Sequence, residues 1–285
     1  MIERRKRRSL SSAGKIGKYQ LNDPLRIQSD RSLFKSYDPF LDRNVVIKII
    51  QLFDPNEEGD VENDTFYAEA RAIGRLQHQN IVSVYDAGLG DFEGFLVMEF
   101  IEGKDLSSVL KNDKNLSLKE ALTTAEKICH ALAYAHSKKV IHRDLKPSNI
   151  MFSEEGNLKL VDFGLSVVQT ASQLTMPHLS GSPSYMAPEL ICGEMPNEQS
   201  DLFSVAVILY EMISGELPFK GNDVHSVLYN IVKGEAEPIE NKVEHLPHDL
   251  KSLFGKLLSK SPSDRFQTAD KLEQELRTLQ HSLDS

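Results

Sequence analysis

One stretch, residues 142–164, constrains the fold more than any other part of the chain. It contains two polar loops, and each is bounded by short apolar runs that predict strands, at residues 140–141, 150–152 and 158–161. The loops carry the carboxylates of Asp144 and Asp162, the amide oxygen of Asn149 and the ammonium group of Lys146. Such a set can hold a metal ion and orient a hydroxyl, which is what phosphoryl transfer asks of a protein.

The order and spacing of these residues resemble the signature set of the eukaryotic-like protein kinases. The motifs that carry the resemblance are His142-Arg143-Asp144, Asn149, Asp162-Phe163-Gly164 and Ala187-Pro188-Glu189. The match extends from about Tyr19 to about Leu276. The sequence around the motifs is most similar to that of bacterial Ser/Thr kinases. The resemblance implies an α+β, bilobal protein kinase fold, with a small antiparallel β lobe that has one key helix and a larger, mainly helical lobe.

The resemblance also implies a domain plan. Residues 1–18 are expected to form a basic, disordered tail, and residues 19–276 a protein kinase domain. Within that domain the small lobe covers about residues 19–100 and the large lobe about 104–276. Residues 277–285 are expected to complete the last helix and form a short tail.

The catalytic roles follow from the same resemblance. Asp144 is expected to accept the proton of a Ser or Thr hydroxyl, and Lys146 to offset charge on the γ-phosphate of ATP. Asn149 and Asp162 are expected to bind Mg²⁺ or Mn²⁺. A lysine two places after the base resembles Ser/Thr rather than Tyr kinases.

Lys48 stands inside the apolar, β-branched run 45–50, which predicts a strand. Burying an ammonium group costs several kcal/mol unless it meets an anion, so a surface lysine that reaches solvent competes with a phosphate-binding one. By resemblance Lys48 pairs with ATP phosphates and with Glu69, on a helix predicted at residues 65–76. The other ATP contacts that the resemblance implies are Val46 over the adenine, Leu25, Leu33, Met98, Glu99, Phe100 and Met151, with Met98 to Gly103 as the hinge between the lobes.

The hairpin before this strand departs from the family. Family members have three glycines there, and this chain has Arg26, Gln28 and Arg31 at the aligned positions. Side chains at these positions obstruct close approach of the backbone to phosphates, so we expect weaker ATP binding, with an arginine or the metal ion supplying the charge. The same departure is the main argument for a pseudokinase that acts as a scaffold.

Residues 165–186 are polar and lack periodicity, which predicts a loop, and in the family this loop is the activation segment. Arg143 is expected to bind a phosphate carried by one of three candidates in this loop: Ser172, Thr175 and Ser180. By resemblance Asp201 holds the backbone of the catalytic loop, and Glu189 forms a buried ion pair with Arg265.

Several elements are predicted by local pattern alone. Strands at residues 81–85 and 95–98 flank a turn between Gly88 and Gly94. Ser117 and Glu120 have the spacing of a capping box, which opens a helix to Ser137. His130 and His136 on this helix are interpreted as packing or surface residues that share no cluster with acids or thiols.

Composition excludes some functions. A net charge of -9 with a pI near 5.5 argues against nucleic-acid binding, which requires a basic face. The two cysteines, Cys129 and Cys192, lack metal-ligand spacing and predict reduced thiols in the cytoplasm. No apolar run is long enough to span a membrane, and no apolar run follows the basic N-terminus, so a signal peptide is not expected. A solvated tail, a peripheral membrane or partner contact, and autophosphorylation at Ser9 or Ser11 remain alternative interpretations of the N-terminal segment.

The sequence therefore predicts a Ser/Thr protein kinase that uses ATP and acts on protein substrates, with autophosphorylation in its activation loop. The alternatives are a pseudokinase scaffold and a small-molecule phosphotransferase. The long loop that ends in Ala187-Pro188-Glu189, which docks peptides in the family, disfavours the second alternative.

Overall fold

The computed structural model describes residues 14–27, 31–51, 62–90, 93–113, 115–163, 183–243 and 246–283, and at residues 31, 51 and 62–65 it describes the backbone alone. The chain divides into two compact units. The first contains described residues up to Gln77 together with Val82–Ile101, and the second contains His78–Ile81 and the described residues from Glu102 onward. The small antiparallel sheet unit and the larger, mainly helical unit confirm the predicted α+β protein kinase fold class.

Within the described residues, the first unit is a six-stranded antiparallel sheet with one helix, and the strand order is β1-β2-β3-β4-β6-β5. The strands are β1 (Lys15–Ile16), β2 (Tyr19–Ile27), β3 (Arg31–Asp38), β4 (Arg43–Gln51), β5 (Val84–Leu89) and β6 (Glu93–Glu99), and the helix is α1 (Glu62–Gly74). Strand β4 alternates, so that Val45, Ile47 and Ile49 face one side and are buried with Phe34 and Val97. This cluster fixes the register of the central strands.

The second unit contains a small sheet, β7 (Gly103–Asp105), β8 (Ile150–Ser153) and β9 (Leu158–Leu160), and most of the helices. The helices are α2 (Leu106–Asp113), α3 (Leu118–Ser137), α4 (Pro188–Ile191), α5 (Glu198–Ser214), α6 (Val224–Lys233), α7 (His248–Leu257) and α8 (Ala269–Leu283). Helix α5 is buried along residues 200–210, and most of these side chains are apolar, as an interior helix requires. The capping box of Ser117 and Glu120 is present at the start of α3, as predicted.

The boundaries differ from the predictions where tertiary pairing decides them. Strand β1 lies inside the range assigned to the tail, because Lys15 and Ile16 pair with β2. Helix α1 ends at Gly74 rather than at residue 76. Strand β5 begins at Val84 rather than Ile81, and its pairing with β6 extends into the predicted turn.

The predicted small lobe includes residues 78–81, which belong instead to the second unit. The amide nitrogen Nδ2 of Asn80 donates to the carbonyl of Leu158, and Ile81 forms a bridge with Leu160, so this segment pairs with β9. No helix among the described residues is both long enough and apolar enough to cross a membrane.

Candidate active site

The loop between α3 and β8 carries the residues predicted to be catalytic. It contains Arg143 at φ 69°, in the left-handed region that residues other than glycine rarely adopt. Such a conformation persists where the surroundings hold it, and it is frequent at functional sites. Asp144 follows directly, so the direction of its side chain depends on this backbone geometry.

Two neighbouring side chains orient the carboxylate of Asp144. Lys146 Nζ donates to Asp144 Oδ2 at 2.6 Å, and Asn149 Nδ2 lies 3.3 Å from the same oxygen. Asn149 Nδ2 also donates to the main-chain carbonyl of Asp144 at 2.7 Å, which ties the two ends of the loop together. The structure thus brings together three of the predicted residues in one hydrogen-bonded group.

The second predicted loop begins where β9 ends. The N–H of Val161 donates to the carbonyl of Asn149 at 2.9 Å, and His142 Nε2 donates to the carbonyl of Val161 at 3.2 Å. Asp162, the next residue, is also in the left-handed region, with φ 63°. These bonds fix the start of one loop against the other, and they place Asp162 directly after an anchored residue.

His142 is a neutral, buried support of this arrangement. Burial lowers the pKa of its imidazole, although the carboxylates of Asp201, Asp144 and Asp162 act in the opposite direction. Its ring also packs against Phe163, with the centroids 4.5 Å apart. The imidazole therefore acts as a hydrogen-bond donor to the main chain rather than as a charge.

The donor set fits Mg²⁺. Asn149 donates through Nδ2 to Asp144, so Oδ1 is the side-chain atom that would bind a metal ion. Across the described ranges no group of three or more His, Cys, Asp or Glu side chains could hold a metal ion, so a dedicated protein cage is not present there. Mg²⁺ is typically bound by one or two carboxylates together with waters and substrate phosphates. Asp162 would supply such a carboxylate, and Asn149 would add an amide oxygen.

Asp201, in the first turn of α5, makes the backbone contacts that the resemblance implies. Its Oδ2 accepts from the N–H of His142 at 2.8 Å and its Oδ1 from the N–H of Arg143 at 3.0 Å. Both oxygens of a buried carboxylate are thus used to hold the loop.

The predicted ion pair of Glu189 and Arg265 is present and buried. Arg265 Nη1 and Nη2 each lie 2.8 Å from an oxygen of Glu189, and the hydroxyl of Ser200 donates to the same carboxylate at 2.7 Å. Burial alone would raise the pKa of Glu189, but the hydrogen bonds from Arg265 and Ser200 outweigh it and hold the pKa below the ordinary value. The pair fixes α4, which follows the predicted activation segment.

Lys48 is buried in the first unit, with 3% of its surface exposed. It pairs across the sheet with Leu96, and Ile50, two positions further along the strand, pairs with Gly94. Residues two positions apart lie on the same face of a sheet, so Lys48 shares a face with Gly94. The ring of Phe66 on α1 lies directly over Gly94. A Cβ atom on residue 94 would be only 2.5 Å from this ring. Helix α1 therefore covers the face that carries Lys48.

Glu69, the predicted partner of Lys48, follows Phe66 by three positions on α1 and is half-buried. Residues three apart lie on one side of a helix, so Glu69 is on the side of α1 that faces the sheet. The placement is compatible with the predicted pair, which remains a prediction.

The remaining ATP-contact candidates are distributed over both units. In the first unit Leu33 pairs with Arg26 across the hairpin, Leu25 is exposed, and Val46 pairs with Met98. At the predicted hinge the N–H of Glu99 donates to the carbonyl of Ser83 at 2.9 Å, and Lys35 lies 4.4 Å from the ring centroid of Phe100. In the second unit Met151, on β8, is half-buried.

Several predictions lie outside the described residues. These are the phosphorylation candidates Ser172, Thr175 and Ser180, the hairpin residue Gln28, Gly164 of the second motif, and the basic segment of residues 1–13. The side chain of Arg31 is also outside, although its backbone pairs with Ile50 in the sheet.

The interpretation of the two helix histidines was wrong in one respect, because both contact acids. His136 Nε2 lies 2.8 Å from Asp201 Oδ2, and His130 Nδ1 lies 3.3 Å from Glu273 Oε1. The partners are 65 and 143 positions away along the chain, so no local pattern could reveal them. Asp201 thereby joins α3 to the loop that carries Asp144.

The first unit is a sheet with a buried lysine and one covering helix, and the second is a helical unit with an Asp-Lys-Asn loop and an aspartate at the end of a strand. These two units define the protein kinase fold. The chain belongs to the protein kinase family: the family model described as protein kinase domain matches residues 34–276.

Curated bacterial proteins are similar to this chain over most of its length. PrkC of Bacillus subtilis, named a serine/threonine-protein kinase, is 31% identical over 92% of this chain and 40% of its own length. The probable serine/threonine-protein kinase CPE1738 of Clostridium perfringens is 35% identical over 84% of this chain and 35% of its own length. PknL of Mycobacterium tuberculosis, also named a serine/threonine-protein kinase, is 30% identical over 99% of this chain and 71% of its own length. The chain thus spans less than half of PrkC and CPE1738.

Proposed function

We propose that this chain transfers the γ-phosphate of ATP to Ser and Thr hydroxyls of proteins, including its own activation segment. The observation that carries the proposal is the group formed by Asp144, Lys146 and Asn149, in which a carboxylate is held by a cation at 2.6 Å on a loop anchored to Asp201. The relatives named as serine/threonine-protein kinases support it.

In the second unit, Asp144 is proposed to orient the acceptor hydroxyl and take its proton. Lys146, which contacts the same carboxylate, is proposed to reduce the negative charge on the transferred phosphoryl group. The chain contributes positioning and charge, which is most of what phosphoryl transfer needs.

Asn149 and Asp162 are the residues that would hold Mg²⁺ or Mn²⁺. A bound divalent ion would neutralise negative charge on the phosphates. The main-chain bonds between the two loops keep these two ligand residues in a fixed relation, and Asn149 stays oriented because its Nδ2 is engaged by Asp144. The geometry therefore supports a preorganised site rather than one that must assemble.

In the first unit, Lys48 is proposed to bind the α- and β-phosphates and to pair with Glu69. Its burial supports this role, because a buried ammonium group requires an anionic partner. The N–H of Glu99 is already engaged by Ser83, so a contact of Glu99 with adenine would use its carbonyl.

No glycine occurs between Gly17 and Gly59, and this favours the rival function of a pseudokinase scaffold. Glycine amides can approach phosphates closely, and Arg26 on β2 cannot offer that approach. We propose that the metal ion and Lys48 provide most of the phosphate affinity, so that activity survives without the glycines. Protein substrates are the expected partners, and the free thiols of Cys129 and Cys192 support a reducing compartment such as the cytoplasm.

The test is incorporation of label from γ-labelled ATP, with Mg²⁺, into a protein acceptor and into a small hydroxyl compound in parallel. The Asp144→Asn variant should lose at least 100-fold in rate, roughly the contribution of general base catalysis. Asp249→Asn, at a carboxylate whose side chain is 75% exposed on α7, is the control and should keep the wild-type rate. Label that enters neither acceptor with the wild-type chain would favour the scaffold.

A further inference from the structure

We propose that the guanidinium group of Arg26 binds a phosphate of ATP, and so supplies charge on a hairpin that has no glycine. The inference rests on the proposed function, because it concerns the nucleotide used in the same reaction. It starts from the pairing of β2, β3 and β4, which puts Arg26 and Lys48 on one face of the sheet.

Arg26, Leu33 and Lys48 form one row across these three strands. Arg26 pairs with Leu33, and Leu33 pairs in turn with Lys48. Residues directly opposite each other in an antiparallel pair present their side chains on the same face of the sheet. Neighbouring strands are about 4.8 Å apart, so the backbones of Arg26 and Lys48 are roughly 10 Å apart. The row therefore places Arg26 on the face that carries the lysine proposed to bind phosphates.

A bulge in β2 brings Arg26 into this row. Pro24 pairs with Phe34 and Arg26 pairs with Leu33, so Leu25 is an extra residue on β2. With regular pairing, Leu25 would lie opposite Leu33, and Arg26 would be one position further along. Bulges change the direction of side chains and are frequent next to active sites. Here the bulge places a charged residue where the regular register would place an apolar one.

The opposite face of the sheet does not suit a charged side chain. Phe34, next to Leu33 on β3, is buried there in an apolar cluster with Val45 and Ile47. A guanidinium group on that side would lose water without gaining an anion, which is costly. The pairing with Leu33 keeps Arg26 away from this cluster.

The guanidinium group of Arg26 is accessible to a ligand. The side chain is exposed, and within the described ranges it makes no hydrogen bond or ion pair with another residue. Arginine remains charged at physiological pH, and its N–H groups form a planar fork that matches two phosphate oxygens. An exposed arginine on a hairpin is ordinarily a solvated surface group, and the row shared with Lys48 is what favours phosphate binding here.

Two cations on one face suit a polyphosphate. The ammonium group of Lys48 is a compact charge on a central strand, and Arg26 is two strands away. A triphosphate carries several negative groups, so Arg26 can contact a phosphate that Lys48 does not. Adenosine has no phosphate and gains nothing from either cation. Arg26 should therefore favour phosphorylated nucleotides over the free nucleoside.

Three substitutions test this role. Arg26→Gln keeps a polar side chain but removes the charge, and Arg26→Lys keeps the charge but removes the fork. Arg75→Gln is the matched control, because Arg75 is an exposed arginine of the same unit and the change in net charge is the same. Calorimetry measures the Kd of ATP with Mg²⁺, and competition with ATP measures the Kd of adenosine. Urea unfolding without ligand checks that each variant folds.

Arg26→Gln should raise the Kd of ATP about tenfold, which is the loss expected for one charge-assisted hydrogen bond. The Kd of adenosine should change less than about twofold, because only the phosphates distinguish the two ligands at this residue. Arg26→Lys should recover part of the affinity for ATP, since lysine binds phosphate as a point charge. Arg75→Gln should bind both ligands as the wild-type chain does.

The proposal is overturned if Arg26→Gln keeps the wild-type Kd of ATP, or if Arg75→Gln weakens ATP binding as much. Tighter binding of ATP to Arg26→Gln would also overturn it, because the arginine would then obstruct the phosphates. A wild-type chain that binds ATP but transfers no phosphate would instead refute the proposed function. In that case the Kd values still decide whether Arg26 binds a phosphate.

Discussion

Arg265 and Glu189 form a doubly hydrogen-bonded ion pair, and their side chains are 0% and 2% exposed. The guanidinium group also donates to the carbonyls of Ser259 and Lys260, so the charge of Arg265 is satisfied on several sides. Removing one partner from such a pair leaves an uncompensated buried charge, which is far more costly than losing a pair at the surface.

Arg265→Leu should therefore lower the free energy of unfolding by about 3–5 kcal/mol. Arg277→Leu is the matched control, because Arg277 is 53% exposed in its ion pairs with Glu126 and Glu273, and it should lower this free energy far less than Arg265→Leu does. Urea unfolding of both variants measures the difference. Similar losses would show that burial does not set the strength of the Arg265 pair.

Gly103 lies where β7 approaches β8 too closely for a side chain. A Cβ at this position would be 1.9 Å from the carbonyl oxygen of Phe152, which is backbone and cannot move aside. Gly103→Ala should lower the free energy of unfolding by roughly 2 kcal/mol or more. Gly255→Ala, on α7 with open space around it, should instead raise that free energy by up to about 1 kcal/mol. Thermal and urea unfolding measure both changes. If the free energy of unfolding changed in the same direction in the two variants, the difference in space around the two glycines would not explain their effects.

His78 should make stability depend on pH. Burial lowers the pKa of its imidazole, and the charges of His130 and Lys159 lower it further. The folded chain then binds fewer protons at His78 than the unfolded chain does, so the free energy of unfolding should fall as the pH drops below the ordinary value of 6.5. The loss has a direct structural cause, because His78 Nδ1 accepts from the N–H of Asn80 and cannot do so once protonated.

His78→Asn provides the test, since an asparagine oxygen can accept from the N–H of Asn80 but does not titrate. Urea unfolding between pH 7 and pH 5 should show a smaller decrease in this variant than in the wild-type chain. A decrease should remain, because the pKa of His142 is also lowered. An unchanged pH dependence would exclude His78 as its source.

Nucleotide binding should depend strongly on the metal ion, because the hairpin lacks glycine amides. ATP with Mg²⁺ at about 100 times its Kd should stabilise the folded chain by roughly 2.7 kcal/mol, and ATP with a chelator should stabilise it much less. Lys48→Met, which keeps a buried side chain of similar size, should remove most of the shift with Mg²⁺. Equal thermal shifts with and without Mg²⁺ would show that the hairpin binds phosphates by itself.

Much of the fold was predictable because its signals are local. The alternation of β4, the capping box at Ser117 and the apolar helix α5 each follow from a few neighbouring residues. The contacts of Asp201 and Arg265 were predicted as well, but only through resemblance to a family in which such residues occupy similar positions.

The parts that sequence could not reveal depend on distant partners. Lys15 and Ile16 look like part of a basic tail and become a strand only by pairing with β2. Nothing in the sequence marks Arg143 and Asp162 for the left-handed region, since neither is a glycine and the surrounding contacts impose the conformation. His136 looks like an ordinary helix residue until Asp201 is placed beside it.

Asp144 and its neighbours are proposed to make this chain an active Ser/Thr kinase. Peptide mass spectrometry of the chain and a protein acceptor, after incubation with Mg²⁺ and ATP, tests the claim most directly. Phosphate should appear on Ser or Thr residues with the wild-type chain and with Asp249→Asn, and be absent with Asp144→Asn. Phosphopeptides at equal levels with Asp144→Asn, or none from a folded wild-type chain, would contradict the claim.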